Sequence, residues 1–421
     1  MHIFTIILNL YRIFMRMIKN FIHACLGLFA CALYGFPSRG MTVIGITGTD
    51  GKTTTAHMMY SILKEQGFNV AMISTLGAVV AEKKYENGLH VTTPSAFTLQ
   101  RYLQLAKKYN TTHVVLEITS HGLDQHRDIG IRYTIGILTN ITHEHLDYHK
   151  TYENYVRTKL KLIQKAKTGI VNKEDMSYQF IISHFKSQIS NAMTYGLSDG
   201  DITLKEFPVQ TVFQETFNQY NALAAASVGK VLNLDAEIIM GGLKKFHPPV
   251  GRQEIVYDKD FTVMIDFAHT PNAFQMLLRG LDKQKKGRLI HIFGTAGERD
   301  HEKRPEMGKV SSEFCDVIIL TAEDPRHESL DSINKEIING FSKKFLMIND
   351  DKKLQKEKNI YTIIDNREQA IERAIGMAQK NDFIVITGKA HEKSMNFNGI
   401  EQPWDEFAAV KKALQKYHYE K

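Results

Sequence analysis

A glycine-rich turn wedged between an apolar strand and a helix limits, more than anything else, what this chain of 421 residues can become. Thr42 to Thr47 is a β-branched run of strand type, Gly48-Thr49-Asp50-Gly51-Lys52-Thr53-Thr54 follows directly, and helical sequence comes next. Glycines let backbone N–H groups approach phosphate oxygens, and a helix N-terminus adds the positive end of its dipole. Lys52 neutralises charge, and the Thr53 hydroxyl can ligate Mg²⁺. The arrangement predicts an ATP or GTP phosphate site. A strict Walker motif needs Gly at position 46, where this chain has Ile46, so the generic pattern misses by one place. A Gly-Lys-Thr in an unstructured loop means little; the strand before it and the helix after it give it weight.

From Thr42 onward short β-branched runs alternate with helical stretches, the pattern of α/β folds with parallel sheets covered by helices. It occurs twice. The first set of strands is Thr42 to Thr47, Val70 to Ser74, His113 to Thr119, Thr134 to Asn140 and Gly169 to Asn172. The second is Phe261 to Phe267, Arg288 to Gly294, Asp316 to Thr321, Ile360 to Ile364 and Asp382 to Thr387. Between them lies Pro248-Pro249, the only Pro-Pro in the chain and a natural hinge. The predicted organisation is a helical segment over 1–40, a central phosphate-loop domain over 41–248 and a Rossmann-like α/β domain over 249–421. Asn349 to Asn359, rich in Lys and Asp, reads as a solvated surface excursion.

The net charge of +7 invites a nucleic-acid reading, but Arg12, Arg16, Lys19 and Arg39 supply +4 of it within residues 1–40, which hold no acid. The rest of the chain has its signs interspersed and no basic, aromatic-rich face, so nucleic acid is excluded as a partner. The head is otherwise strongly apolar. A secretory signal would put its cations before the apolar run, and Met1 to Tyr11 has none. The longest uncharged run, Asn20 to Ser38, ends in Gly, Pro and Ser, which disfavours a membrane span. Arg12, Arg16, Lys19 and His23 recur at spacings of four, three and four, a single helical face, so the segment reads as a basic amphipathic helix. Such a helix lies on an anionic membrane surface, docks on a partner, or packs on its own protein.

Cys25, Cys31 and Cys315 form no CxxC pair and leave an odd count, which points to a reducing, cytoplasmic compartment; Cys315 is assigned to the core. Hard-cation ligands gather elsewhere. Glu117 lies near the end of one strand, where ligands meet in open α/β sheets, and His145 follows the next. His143, His145 and His149 resemble a zinc cluster by count, but Asp147 and the phosphate loop favour Mg²⁺. Taken alone, Glu117 reads more readily as a solvated strand-end charge than as a ligand.

The loop Thr47-Gly48-Thr49-Asp50-Gly51-Lys52-Thr53 resembles that of the Mur ligase family, with Asp50 where Asn is usual. Further segments resemble the MurE type, the muramoyl-tripeptide synthetases: Thr92-Thr93-Pro94, Glu117 to Arg127, Thr139-Asn140, His143 to His149, Phe217 to Asn221, Gly251 to Glu254, Asp266 to Pro271 and Gly388 to Glu392. The resemblance covers about residues 42–416.

What the resemblance implies is an ATP-dependent amide-forming ligase of peptidoglycan precursor synthesis, in which a muramoyl-dipeptide carboxylate is activated as an acyl phosphate and attacked by an amino acid. Lys52, Glu117, His145 and Lys159 would be catalytic. Thr53 and Glu117 would hold one Mg²⁺ and His145 a second, beside Lys159, which matches a lysine that is carbamylated in the family. Asn218 and Asn221 would face adenine, Arg252 and Asp266 the ribose and phosphates. Thr92, Thr93, Ser120, Gln125 and Arg127 match positions that hold the muramoyl-dipeptide. Arg304 and Arg326 offer guanidinium forks suited to carboxylates, Glu392 could receive an amine, and Asp324 and Gly388 complete the acceptor end. The family's Asp-Asn-Pro-Arg goes with meso-diaminopimelate; Asp324 stands where Asn is usual, and meso-diaminopimelate is favoured over lysine.

The family normally begins with a domain for the uridine end of its substrate, which forty residues cannot form. The expectation is that uridine recognition is lost, that a partner supplies it, or that the basic helix brings the enzyme to a lipid-linked substrate at the inner face of the membrane. Two rivals stand beside the ligase reading. One is another ligase of the superfamily, such as a folylpolyglutamate synthetase, against which Ser120 to Arg127 and Gly388 to Glu392 argue. The other is a non-catalytic ATP-binding scaffold, against which retention of Lys52, Glu117, His145 and Lys159 argues.

Overall fold

The computed structural model describes residues 2–88 and 92–419, apart from the side chains of residues 2–14, 16, 17, 351 and 352. The chain forms two compact units, the first from Met1–His143 and His149–His247, the second from Glu144–Tyr148 and Pro248–Lys421. The cut at His247/Pro248 falls at the Pro-Pro hinge, and the short return of Glu144–Tyr148 to the second unit is not visible in the sequence.

The first unit holds strands β1 (Thr42–Thr47), β2 (Val70–Ser74), β3 (Gly77–Val80), β4 (Lys83–Tyr85), β5 (His113–Glu117), β6 (Tyr133–Leu138), β7 (Thr168–Asn172) and β8 (Met193–Tyr195). They form an eight-stranded sheet in the order β4-β3-β2-β5-β1-β6-β7-β8. β1 lies between β5 and β6, parallel to both, and its register sets Ile46 beside Glu117. Because successive side chains of a strand leave on opposite faces, Ile44 and Ile46 of β1 join one core cluster and Val43 another. The first of these is covered by α2 (Lys52–Glu65), the second by α3 (Ala96–Lys108). A buried β1 flanked on both sides makes a rigid base, so the loop at its C-terminal end has a fixed origin.

Four helices complete what the site needs: α4 (Ser120–Asp124), α5 (Leu146–His149), α6 (Tyr152–Lys165) and, after α7 (Met176–Phe185), α8 (Thr216–Val231). Thr151 caps α6 by accepting from the Asn154 N–H at 3.2 Å, and α8 is alanine-rich and buried along most of its length against α2.

The second unit holds β9 (Glu254–Asp258), β10 (Thr262–Asp266), β11 (Leu289–Phe293), β12 (Val317–Leu320), β13 (Leu346–Met347), β14 (Ile360–Ile363) and β15 (Phe383–Thr387). They form a seven-stranded sheet in the order β13-β14-β12-β11-β15-β10-β9, antiparallel only at β9. A hairpin of β16 (Ser394–Phe397) and β17 (Ile400–Pro403) follows. An ion pair with both partners fully buried, Arg367 on Glu406 and also on the Ala322 and Thr387 carbonyls, ties two helices of this unit to its sheet.

Every strand expected from the sequence is present, with ends shifted by up to two residues. The strands not foreseen are short or at edges, where apolar alternation is weakest: the β3–β4 hairpin, β8, β9, β13 and β16–β17. Asn349 to Asn359 is exposed at most of its described positions, as a solvated excursion should be, and it contains a short helix, Asp351–Lys356, capped by Asp350 and anchored by the buried Leu354.

The head is one helix, α1 (His2–Leu33), about 48 Å long at 1.5 Å per residue. It spans the predicted basic face; the side chains of Arg12 and Arg16 lie outside the described residues. Its second half packs on the first unit through Asn20, Cys31 and the Phe29–Phe97 ring contact. No helix among the described residues is long and apolar enough to cross a membrane.

Candidate active site

The phosphate loop leaves β1 at Gly48 and enters α2 at Lys52. Gly51 is in the left-handed region, at φ 81°, and a Cβ there would collide with the Asn221 carboxamide, so both conformation and space require glycine. Two residues just past β6 hold the loop: Thr139 Oγ1 donates to the Asp50 carbonyl at 2.8 Å, and Asn140 donates to that same carbonyl while accepting from the Asp50 N–H at 2.9 Å. Thr49 Oγ1 lies 3.2 Å from the Tyr155 hydroxyl of α6, and Lys52 Nζ donates to the Thr49 carbonyl at 2.9 Å. Thr54 is half-buried on the first turn of α2.

Beside the loop, two hydroxyls converge on one carboxylate and a third adjoins them. Thr53 Oγ1 lies 3.1 and 3.0 Å from the two Glu117 oxygens, and Thr75 donates to Glu117 through both its N–H, at 2.9 Å, and its hydroxyl, at 3.0 Å. Thr92 Oγ1 joins at 3.3 Å from Thr75 Oγ1. The strand-end reading of Glu117 as a merely solvated charge is overturned, since the residue is 1% exposed. Thr75 was not foreseen; its position just past β2, the strand next to β5, is the signal that could have found it. An oxygen-only set of hydroxyls and a carboxylate is what a hard divalent cation takes, and the loop runs straight into the N-terminus of α2, whose first N–H groups suit phosphate, so these residues fit Mg²⁺ and a nucleotide.

Lys159, on the inner face of α6, is 1% exposed; its Nζ donates to the Gly48 carbonyl at 2.6 Å and lies 4.6 Å from the Tyr155 ring centroid. The expected dipeptide residues gather past β5. Thr93 Oγ1 accepts from the Thr119 N–H at 2.9 Å, Arg127 donates to the Thr93 carbonyl and to Gln125 Oε1, and Ser120 Oγ lies 3.0 Å from His149 Nε2. The three-histidine cluster does not form: His149 lies with Ser120, His143 stacks on Tyr152, and His145 belongs to the segment that joins the second unit. Asn221 accepts from the Thr55 hydroxyl and abuts Gly51, so it buttresses the phosphate loop; Asn218, one turn earlier on α8, is half-buried.

In the second unit Arg252 stacks over Phe267 at 4.4 Å, and Asp266 accepts from the Gln253 and Ala268 N–H groups at 2.7 and 2.6 Å. Burial pushes the Asp266 carboxyl up against the opposing pull of Arg252. Glu144, in the returning segment, is buried too, but the Lys303 ammonium 3.1 Å away, with His145 and His269 behind it, outweighs burial and holds it at about 2.

The acceptor end differs from expectation at Arg304. The guanidinium is fully buried and already held: Glu328 takes both terminal nitrogens at 2.6 and 2.8 Å and Glu336 adds 3.0 Å, so Arg304 is a structural clamp and not an open fork. Among the described His, Cys, Asp and Glu side chains only His301, Glu328 and Glu336 come together as a group of three, within 4.8 Å, and Arg304 donates to all three. Arg326, in the left-handed region at φ 54°, donates to the Gly297 carbonyl at 2.8 Å. Such a conformation costs a non-glycine residue roughly 1–3 kcal/mol. Arg299, which the sequence reading passed over, is exposed near it, and crowding followed by the Arg326 charge lowers its pKa. Its signal is its place in the loop just past β11.

Asp324 is buried on Lys389 Nζ at 2.9 Å and on the Asn396 N–H at 2.9 Å, and Lys389 also takes Glu392 at 2.6 Å. The charge that Asp324 adds relative to Asn is therefore neutralised by Lys389. Glu323, also passed over, has its Oε2 enclosed without a hydrogen-bond partner, and Gly388 lies against that oxygen, with room for a Cβ only at 3.0 Å. Burial, aided by Asp324, pushes the Glu323 carboxyl up to about 7 despite Lys303 and Lys389. A carboxyl whose folded pKa exceeds its unfolded value stabilises the fold by holding a proton, so this contribution is complete below pH 4.5 and is lost as pH rises toward 7. Glu323→Gln should therefore gain roughly 3 kcal/mol relative to the native chain at pH 8 and nothing at pH 4.5. Thermal melts of both proteins across that range check it; parallel curves would refute it.

The Mur ligase middle domain matches residues 46–229, and the Mur ligase glutamate ligase domain matches residues 251–390. The chain is 36% identical over 409 residues to the UDP-N-acetylmuramoyl-L-alanyl-D-glutamate--2,6-diaminopimelate ligase of Aquifex aeolicus, covering 92% of this chain and 80% of that protein. It is 34% identical over 427 residues to the UDP-N-acetylmuramyl-tripeptide synthetase of Borreliella afzelii, covering 93% and 81%. A solved UDP-N-acetylmuramoyl-L-alanyl-D-glutamate--2,6-diaminopimelate ligase superposes with a TM-score of 0.56 at 26% identity, over 90% of this chain and 79% of that one. A phosphate loop at the end of β1, a buried carboxylate on its threonine and two matched domains in order make this chain a member of the Mur ligase family, of the MurE type.

Proposed function

We propose that this enzyme joins meso-diaminopimelate to the D-glutamate carboxylate of a muramoyl-dipeptide precursor, at the expense of ATP, in the cytoplasm. The observation that supports it above the rest is the contact of Thr53 with both oxygens of buried Glu117 at the phosphate loop. Thr53 and Glu117 would hold Mg²⁺, His145 would help hold a second ion, and Lys159 would act as its carbamate. Bound Mg²⁺ supplies neutralisation of phosphate charge.

The loop amides and Lys52 receive the triphosphate, while Asn218, Asn221, Arg252 and Asp266 receive the rest of the nucleotide. Thr92, Thr93, Ser120, Gln125 and Arg127 orient the dipeptide so that its carboxylate attacks the γ-phosphorus in line. The bond to the β-phosphate oxygen breaks, ADP leaves, and an acyl phosphate remains. The acceptor amine then attacks the acyl carbon, sheds a proton, and the tetrahedral intermediate collapses to amide and phosphate. At the other end of the acceptor, Arg299 and Arg326 are suited to a carboxylate, and Glu323, with Asp324 and Glu392 behind it, to an ammonium. A diamino dicarboxylic acid satisfies both sets of groups; lysine lacks the second carboxylate.

ADP release over a panel of muramoyl peptides and amino acids tests this. The muramoyl-dipeptide with meso-diaminopimelate should be turned over fastest, with lysine lower by about 10²-fold or more in kcat/KM. Equal rates with lysine would refute the acceptor assignment, and no release with any pair would refute the ligase.

A further inference from the structure

Helix α1 is built inside out. The stripe that meets the first unit is made of small residues: Gly27, Ala30 and Cys31 are buried, and a Cβ on Gly27 would clash with Ile129. The bulky residues point the other way. Phe21 is 70% exposed and Leu33 60%, with Ile22, Leu26 and Leu28 beside them, and only Phe29 among the bulky ones reaches back, to the Phe97 ring. A helix stabilised only by its own domain would turn its phenylalanines and leucines inward, since burying each contributes roughly 1.5–3 kcal/mol. Here small residues permit close backbone packing on the protein, as at helix interfaces inside membranes, and the large apolar surface is left outward.

The charge decides among occupants. Residues 1–40 carry Arg12, Arg16, Lys19 and Arg39 and no acid, so a second copy would bring cations against cations with nothing to neutralise them. A surface of lipid phosphates supplies the missing anions and an apolar layer for the phenylalanines. Next to the seat of the helix, a cavity of about 420 Å³ shares Ile129 and Gly130 with it, and its charged or titratable lining is His126, Asp128, Arg132, Lys165 and Lys167, a net excess of cations. Of these, Lys165 is held by Asp128 at 2.8 Å, and Arg132 and Lys167 are exposed. No helix among the described residues is long and apolar enough to cross a membrane, and cations spread along residues 12–39 suit a helix lying in the plane of the interface.

We infer that the outward face of α1 and the adjoining basic cavity seat the enzyme on an anionic lipid surface, independently of which amino acid it adds. The full chain should co-sediment with vesicles of phosphatidylglycerol and phosphatidylcholine on the order of a hundredfold more strongly than with phosphatidylcholine alone, and lose this preference in high salt. Phe21→Glu with Leu28→Glu, both at exposed positions, should abolish sedimentation, and Lys19→Glu with Arg132→Glu should remove the lipid preference. ADP release in solution should be unchanged in both variants, which separates loss of binding from loss of folding or of the ligase. Failure of the native chain to bind, equal binding by the Phe21→Glu/Leu28→Glu variant, or light scattering that shows a dimer dissolved by that variant with no vesicle binding would each overturn the inference.

Discussion

Glu117→Gln is expected to lower ADP release by on the order of 10²–10³-fold while leaving a folded protein. The substitution keeps shape and removes one negative charge. Glutamine offers one acceptor oxygen in place of two, so it can still accept from Thr75 but cannot also serve Thr53 as the carboxylate does at 3.0 and 3.1 Å. Folding should suffer by no more than the value of one buried hydrogen bond, about 1 kcal/mol. The discriminating measurement is nucleotide affinity with and without Mg²⁺. A Glu117 that holds the cation makes the native chain bind ATP more tightly when Mg²⁺ is present, and the variant should show little such difference. A variant with native Mg²⁺ dependence and native turnover would reduce Glu117 to a buried brace for the loop at Thr75.

How much of this was readable in the sequence depended on whether the signal is local. The glycine-rich loop is: Gly51 must be glycine for its own dihedral angle and for Asn221, so its mark survives in the bare string. The alternating strands are local as well, and they fix two parallel sheets. Thr75 and Arg299 carry no local mark, because each matters only through a strand neighbour or a loop that folding brings alongside. Arg304 shows the opposite failure. Beside Pro305 it looks like an open fork, and nothing nearby in sequence discloses that Glu328 and Glu336, some thirty residues on, have already taken its hydrogen bonds. The head is a third case. Its cations define one helical face, yet the helix seats itself by its smallest residues, since close approach to the body at Ile129 admits nothing larger at Gly27.

Lys159→Met is expected to cost at least about 10²-fold in turnover, and activity of the native chain should fall when dissolved CO₂ is stripped and return with bicarbonate. Methionine retains the apolar stem at a site only 1% exposed, so loss of turnover would not simply report a cavity. The chemistry follows from what the amine already does. Its Nζ donates to the Gly48 carbonyl at 2.6 Å. Addition of CO₂ to the neutral amine forms an N–C bond and releases one proton, and the carbamate nitrogen keeps one N–H. That single N–H can go on donating to Gly48 while a carboxylate replaces the ammonium charge at the edge of the phosphate loop. A buried cation is thereby exchanged for an anion with oxygens for a hard cation, which the ammonium form could only repel. Carbon-13 bicarbonate should therefore give a carbamate resonance in the native chain that is missing from Lys159→Met and that strengthens, with activity, as bicarbonate is raised. Full turnover in rigorously CO₂-free buffer, with no such resonance, would show that Lys159 works as an ammonium and that its place on Gly48 is its whole role.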